Sequence, residues 1–311
     1  MMSKSVCHIM AFLTSVIWGS TFVFTKQLLL NGLSSAQIFT LRFIIAYVML
    51  MGWSLISKHH RWWADSWRDE LLMLALGITG GSLYFLAENE AMNYTTTTNT
   101  SLIVCSCPLF TSLLVSLFYR EQRLHGWQVV GTLMAVTGMA VVVLNGHFVL
   151  HLSPLGDSLA LVACLCWAVY SLLMIPANRR YDAVFITRKV FFYGLLTIVP
   201  YFLVCGGWIP GDESAGTVVG WEVLARPQVV GNLLFLGCVA SMLCFLVWTW
   251  VLKRIGTVVA TNYVYLNPLS TIVFAWWLLS EHITVWFLLG AVLIVLGMYL
   301  SDRNAHTGTN L

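Results

Sequence analysis

Charge is what this chain has least of. Only 9% of its 311 residues are charged, against 59% hydrophobic, where a soluble domain carries about 25% charged residues. A water-soluble fold of this length still needs a polar shell, so a soluble enzyme, a nucleic-acid binder and a secreted disulfide scaffold are all excluded. No Gly-rich phosphate loop runs into a Lys-Ser or Lys-Thr pair, and ATP hydrolysis is therefore not expected. Apolar stretches carry no His pair at metal-ligand spacing. Cys105-x-Cys107 and Cys164-x-Cys166 place their sulfurs about 200° apart on a helix, with no His or carboxylate beside them to complete a site. The eight cysteines therefore read as small hydrophobes, and neither a metal nor any other cofactor is expected. Long loops are scarce as well; apart from about 208–229 there is no room for a catalytic or regulatory domain.

What is present is apolar length. Crossing the hydrocarbon layer takes about 20 apolar residues, which gives ten spans near 7–30, 35–57, 70–92, 97–119, 127–145, 156–176, 185–207, 230–252, 258–279 and 283–301. The first is too long for a signal peptide and is expected to stay in the mature protein. With ten spans, eleven basic residues outside them fall on one side: Lys4, Lys58, Arg61, Arg68, Arg120, Arg123, Arg179, Arg180, Lys253, Arg254 and Arg303. Only Arg226 lies opposite. The positive-inside rule then puts both termini in the cytoplasm. Trp62, Trp63 and Trp67, among basic residues, read as an interfacial anchor.

The two halves of the chain repeat one another. Pro108-Leu109 recurs as Pro268-Leu269, and Glu121 as Glu281. Trp127, Gly131 and Gly138-Met139 align with Trp286, Gly290 and Gly297-Met298. Leu76-Gly77 and Phe85-Leu86 align with Leu236-Gly237 and Phe245-Leu246, while Phe39, Arg42 and Tyr47 match Phe185, Arg188 and Tyr193. Trp18 matches Trp167. Five spans per copy is an odd number, so the second copy is inserted upside down. That architecture places a substrate site between the halves near the midplane. The expected fold is an all-α membrane protein of ten transmembrane helices, with residues 7–145 as the first repeat, 156–301 as the second and 302–311 as a cytoplasmic tail.

A Trp in the first helix of each repeat, a Pro in the fourth, a Glu just after it and a Gly-rich fifth helix resemble the drug/metabolite transporter superfamily, in its EamA-type branch. The segments Glu88-Asn89-Glu90-Ala91-Met92 and Thr98-Asn99-Thr100-Ser101-Leu102-Ile103-Val104 are similar to bacterial members. The resemblance runs from about Ala11 to Ser301. It implies a ten-helix exporter of amino acids, related metabolites or toxic compounds in a bacterial inner membrane.

Ionisable residues inside spans are costly and are therefore functional suspects. Glu88, Lys26 and Arg42 fall about 10, 12 and 6 Å outward of the middles of their spans at 1.5 Å per residue, so the three are expected to meet. Glu88 is the leading candidate because its repeat counterpart is Trp248, and that of Lys26 is Ile175; a fold requirement would recur in both halves. Its roles are contact with a substrate amino group, carriage of a coupling proton, or a structural ion pair with Lys26 or Arg42. Arg188 and Lys189 are expected to snorkel to the headgroups. Trp18, Thr21, Tyr84, Asn99, Trp167, Tyr170, Trp248, Asn262, Tyr265 and Asn267 supply the remaining polar and aromatic candidates for substrate contact, helix–helix hydrogen bonding being the alternative for each. Pro108 and Pro268 are expected to kink their helices, either as gates or as fixed bends.

The expectation is thus a secondary transporter exporting amino acids or related metabolites by alternating access, as a monomer in the lipid bilayer, with a proton as the candidate coupling ion. Efflux of drugs on the same fold is one alternative. An intramembrane lipid or prenyl transferase is another, although Asp157 and Asp182 stand isolated at span ends.

Overall fold

The computed structural model describes residues 4–56, 61–95, 97–119, 126–144, 153–205, 221–279 and 284–302. Glu121, Glu281, the side chain of Asn99, most of the loop at 208–229 and residues 303–311 lie outside the described residues. All regular structure among the described residues is helical. In a bilayer this follows from solvation, because a helix satisfies its own backbone where water is absent.

The first repeat consists of α1 (Lys4–Leu30), α2 (Ser35–Ile56), α3 (Trp67–Gly77), α4 (Leu83–Tyr94), α5 (Thr97–Val104), α6 (Cys107–Phe118) and α7 (Gly126–Leu144). The second runs through α8 (Pro154–Arg180), α9 (Ala183–Cys205), the short α10 (Trp221–Leu224), α11 (Pro227–Leu234), α12 (Cys244–Ile255), α13 (Thr257–Asn262), α14 (Asn267–Leu279) and α15 (Val285–Asp302). Seven helical stretches are long and apolar enough to cross a membrane, and Gly126–Val142 and Val285–Ser301 are shorter apolar helices. With the interrupted α13–α14 segment, these occupy all ten expected spans. Local chemistry sets their ends. Ser66 caps α3 by accepting from the Asp69 amide, and Ser153 caps α8 ahead of Pro154. Gly32, with φ of 94°, ends α1, and Gly256, with φ of 86°, ends α12; residues with a Cβ rarely take that backbone conformation.

The third and eighth spans each pass through a wide π turn, at Ile78–Ser82 and Phe235–Leu243. The fourth and ninth spans break at matching places. A turn at Cys105–Ser106 separates α5 from α6, and a 3₁₀ turn at Tyr263–Leu266 separates α13 from α14. Pro108 and Pro268 stand in the first turn of the helix after each break, where a missing N–H is tolerated. The expected kinks are therefore interruptions.

Packing exchanges the repeats. The first helix of each half lies against the third span of the other, α1 on α12 and α8 on α4; likewise α2 lies on the second π segment and α9 on the first. The helices α7 and α15 pair with one another along Gly131, Gly138, Gly290 and Gly297. A Cβ on Gly138 would stand 2.7 Å from the Ile294 amide nitrogen and from Leu293 Cβ. Gly138→Leu is therefore expected to lower stability by about 1–3 kcal/mol, the usual cost of overpacking. Gly52→Leu, which meets open space, serves as the neutral control when both proteins are melted in detergent.

The end of the molecule that carries the basic loops is locked by charge, which corrects the snorkelling expectation for Arg188 and Lys189. Both residues are buried, at 4% and 5% exposure. Lys189 Nζ pairs with Glu70 Oε1, which also accepts from Tyr193 Oη at 2.5 Å. Arg188 donates to Ser54 Oγ at 2.8 Å and to the Arg61 carbonyl, while Arg180 bridges to Asp69 at 2.5 Å. Trp62 and Trp63 lie over the Arg188 and Lys189 cations at 5.0 and 4.7 Å. The reason is geometric: residues 61–63, ahead of α3, lie over α9, so the cations meet protein before they reach headgroups.

Candidate substrate cavity

Helix periodicity brings the cavity together. Trp18, Thr21 and Phe22 follow one another on one face of α1, and Tyr84, Phe85 and Glu88 share a face of α4. They line one cavity with Arg42 from α2, Val104 and Cys107 around the break between α5 and α6, Trp167 from α8, Phe245 from α12, and Val264 and Asn267 around the ninth-span break. About 30 Å³ of it is open to the centre of a water molecule. That holds one or two waters.

Two opposite charges face this space. Glu88 Oε1 accepts from Tyr84 Oη at 2.9 Å, one helical turn away. Arg42 Nε donates to Ser241 Oγ at 2.9 Å, and its guanidinium lies 4.4 Å over the Phe85 ring. Both charged residues are buried. Among the described residues, however, the ion pairs are Arg61–Asp65, Arg180–Asp69 and Lys189–Glu70. Glu88 and Arg42 thus share a cavity without closing on each other. The rest is aromatic. Trp18 meets Trp167 edge-on with centroids 5.2 Å apart, Tyr84 lies 5.1 Å from Trp167, and Phe245 is 5.7 Å from Trp18.

Other candidates fall elsewhere. Lys26 does not join Glu88 and Arg42; its ammonium donates to the Met92 carbonyl at 3.1 Å, one turn beyond Glu88. Trp248 backs Trp18 at 4.9 Å from outside the lining, and Tyr170 packs behind Trp167 at 5.1 Å. Tyr265 is buried next to the cavity's Val264 without lining it. Asn262 donates to Ser301 Oγ at 2.9 Å, tying α13 to α15; its role there is a helix–helix hydrogen bond. Phe22, Phe85, Val104, Cys107, Phe245 and Val264 line the cavity without having been singled out for it. The repeat matches Phe85–Phe245 and Val104–Val264 were the available signal, since residues paired about the midplane of an inverted repeat are placed to face each other.

Ten helical spans in two inverted halves, with an aromatic cavity between them that Arg42 and Glu88 face, define a membrane transporter. Comparison with known proteins makes the assignment specific: the EamA-like transporter family model matches twice, at residues 5–144 and 154–301. The chain belongs to that family, within the drug/metabolite transporter superfamily. It is 28% identical over 310 residues to an uncharacterized transporter of Archaeoglobus fulgidus, covering 97% of this chain and 99% of the relative. It is 27% identical over 296 residues to a probable amino-acid metabolite efflux pump of Escherichia coli, covering 94% and 93%. A crystal structure of a protein 16% identical in sequence shares the fold over 98% of both chains, with a TM-score of 0.75. The protein is a multi-pass membrane transporter with a small-molecule substrate.

Proposed function

We propose that this transporter exports amino acids or closely related metabolites across a bacterial inner membrane, by alternating access and without enzymatic chemistry. The observation that carries the reading is the pair Arg42 and Glu88, which face one aromatic cavity and do not neutralise each other through direct contact. Arg42 is held by Ser241 through Nε, which leaves its terminal nitrogens to a carboxylate. Glu88, steadied by Tyr84, accepts from an ammonium group or carries a coupling proton. Trp18, Trp167, Phe85 and Phe245 take the apolar part of the molecule. The name of the Escherichia coli relative, a probable amino-acid metabolite efflux pump, supports the substrate class.

The eleven-to-one distribution of basic residues supports cytoplasmic termini and puts the charge-locked end in the cytoplasm. The breaks beside Pro108 and Pro268 are the natural gates, because their free backbone bends without disrupting a continuous helix. A transmembrane gradient or the substrate's own concentration drives transport.

The test compares media from cells overproducing the wild type, Glu88→Gln or neither, at matched protein levels. One amino acid or related compound should accumulate with the wild type. Glu88→Gln should cut its release about 10–100-fold, the value of a charged hydrogen bond of about 1.5–3 kcal/mol. Equal release from both proteins would keep export and reject Glu88. No release from either would overturn metabolite export and favour drug efflux or uptake.

A further inference from the structure

The two first-helix tryptophans are equivalent by sequence and unequal in the structure. Trp18 Nε1 donates to the Ala240 carbonyl at 2.9 Å, from the first repeat to the second. Trp167 Nε1 is buried and has no hydrogen-bond partner among the described residues. An unpaired buried donor is destabilising, and an arrangement that gave Trp167 Nε1 an acceptor would remove that cost.

The repeat supplies the missing acceptor. Residues 76–86 and 236–246 align without a gap, which sets Gly80 opposite Ala240. Both lie in the π turns, Ile78–Ser82 and Phe235–Leu243. The Trp18 bond shows that a carbonyl in such a turn accepts an indole. The helix of Trp167 already packs on the first π turn. Tyr170, one turn along α8, keeps Trp167 from Gly80: its ring fills the space where a Gly80 side chain would stand. The position equivalent to Tyr170 in the first repeat is Thr21, whose small hydroxyl folds back onto the Trp18 carbonyl at 2.6 Å and leaves Ala240 clear.

We propose that the two indoles form a reciprocal latch. Trp18 on Ala240 holds the conformation described above, and Trp167 on Gly80 holds the opposite-facing one. Inverted repeats are related by a pseudo-two-fold axis in the membrane plane, and alternating access rocks one against the other; in the latch, a bond made by one half in one state is made by its mate in the other. The edge-on contact of the two rings at 5.2 Å couples them, because neither indole swings without displacing the other. The latch rests on the alternating access proposed above, not on the substrate or the direction of transport.

The native thiol of Cys107 lines the cavity and reports its exposure. A membrane-impermeant methanethiosulfonate is applied to right-side-out and inside-out vesicles, and modification at Cys107 is followed by peptide mass spectrometry, with Cys107→Ser as the assignment control. Trp18→Phe should change the ratio of the two labelling rates about fivefold toward the opposite-facing state, the value of one buried hydrogen bond. Trp167→Phe should change it by a similar factor the other way, and the double variant should return near the wild-type ratio. Where phenylalanine lowers expression, the benzothienyl analogue of tryptophan removes the N–H and keeps the ring. The latch is overturned if both single variants shift the ratio in the same direction, or if neither shifts it while Cys107 is still labelled. Labelling needs no substrate, so failure here leaves the export reading intact.

Discussion

Lys189→Met is expected to destabilise the protein by about 3 kcal/mol, the lower end of the 3–5 kcal/mol typical for breaking a buried ion pair. The lower end applies because the Glu70 side chain is 21% exposed and regains part of its hydration. Tyr193 and the Ala64 amide continue to donate to Glu70 but do not cancel its charge. The double variant Glu70→Leu/Lys189→Met should recover most of the loss, since replacing both partners removes the uncompensated carboxylate. Equilibrium unfolding of the three proteins in mixed micelles decides the matter. Equal stability of the single variant and the wild type would mean that water reaches Glu70 freely. Among the described residues the three salt bridges all lie at this end, and the position equivalent to Glu70 is Val230.

Arg42→Met should reduce transport of carboxylate-bearing substrates about 10–100-fold, because one charged hydrogen-bonding partner is worth about 1.5–3 kcal/mol. The informative comparison is between substrates. Wild type should prefer an amino acid over the amine formed from it by decarboxylation, and Arg42→Met should lose that preference. Glu88→Gln should instead lose the preference for the amino acid over its deaminated acid. A purely structural role for either residue would depress all substrates equally, and the selectivity ratios would then stay at the wild-type value. Ser241→Ala, which frees Arg42 Nε and touches no substrate, should cost less than Arg42→Met in the same assay.

The ten spans were legible in the sequence because a helix satisfies its own backbone in lipid, and apolar runs of about 20 residues announce it. The repeat was equally legible, since Trp18 and Trp167, Pro108 and Pro268, and the four glycines of α7 and α15 recur in order. Depth along a helix also read well: Glu88 and Arg42 were expected at similar levels, and they share a cavity. Azimuth and neighbours did not read. Lys26 lies only one turn beyond that level, yet it reaches a backbone carbonyl instead of Glu88. Arg188 and Lys189 have the sequence signature of snorkelling cations, but a returning segment more than a hundred residues earlier covers them.

The sequence by itself thus determined a polytopic helical protein made of two inverted copies, along with the depth of Arg42 and Glu88. Periodicity and hydrophobicity are local properties, and they carry that much. The tertiary structure alone decided which charges pair, which face an open space, and which of two equivalent tryptophans holds its hydrogen bond. Those outcomes depend on contacts between residues as distant as Trp18 and Ala240, where an indole reaches its acceptor only if the opposing backbone lies within about 3 Å. No pattern along the chain encodes such a distance.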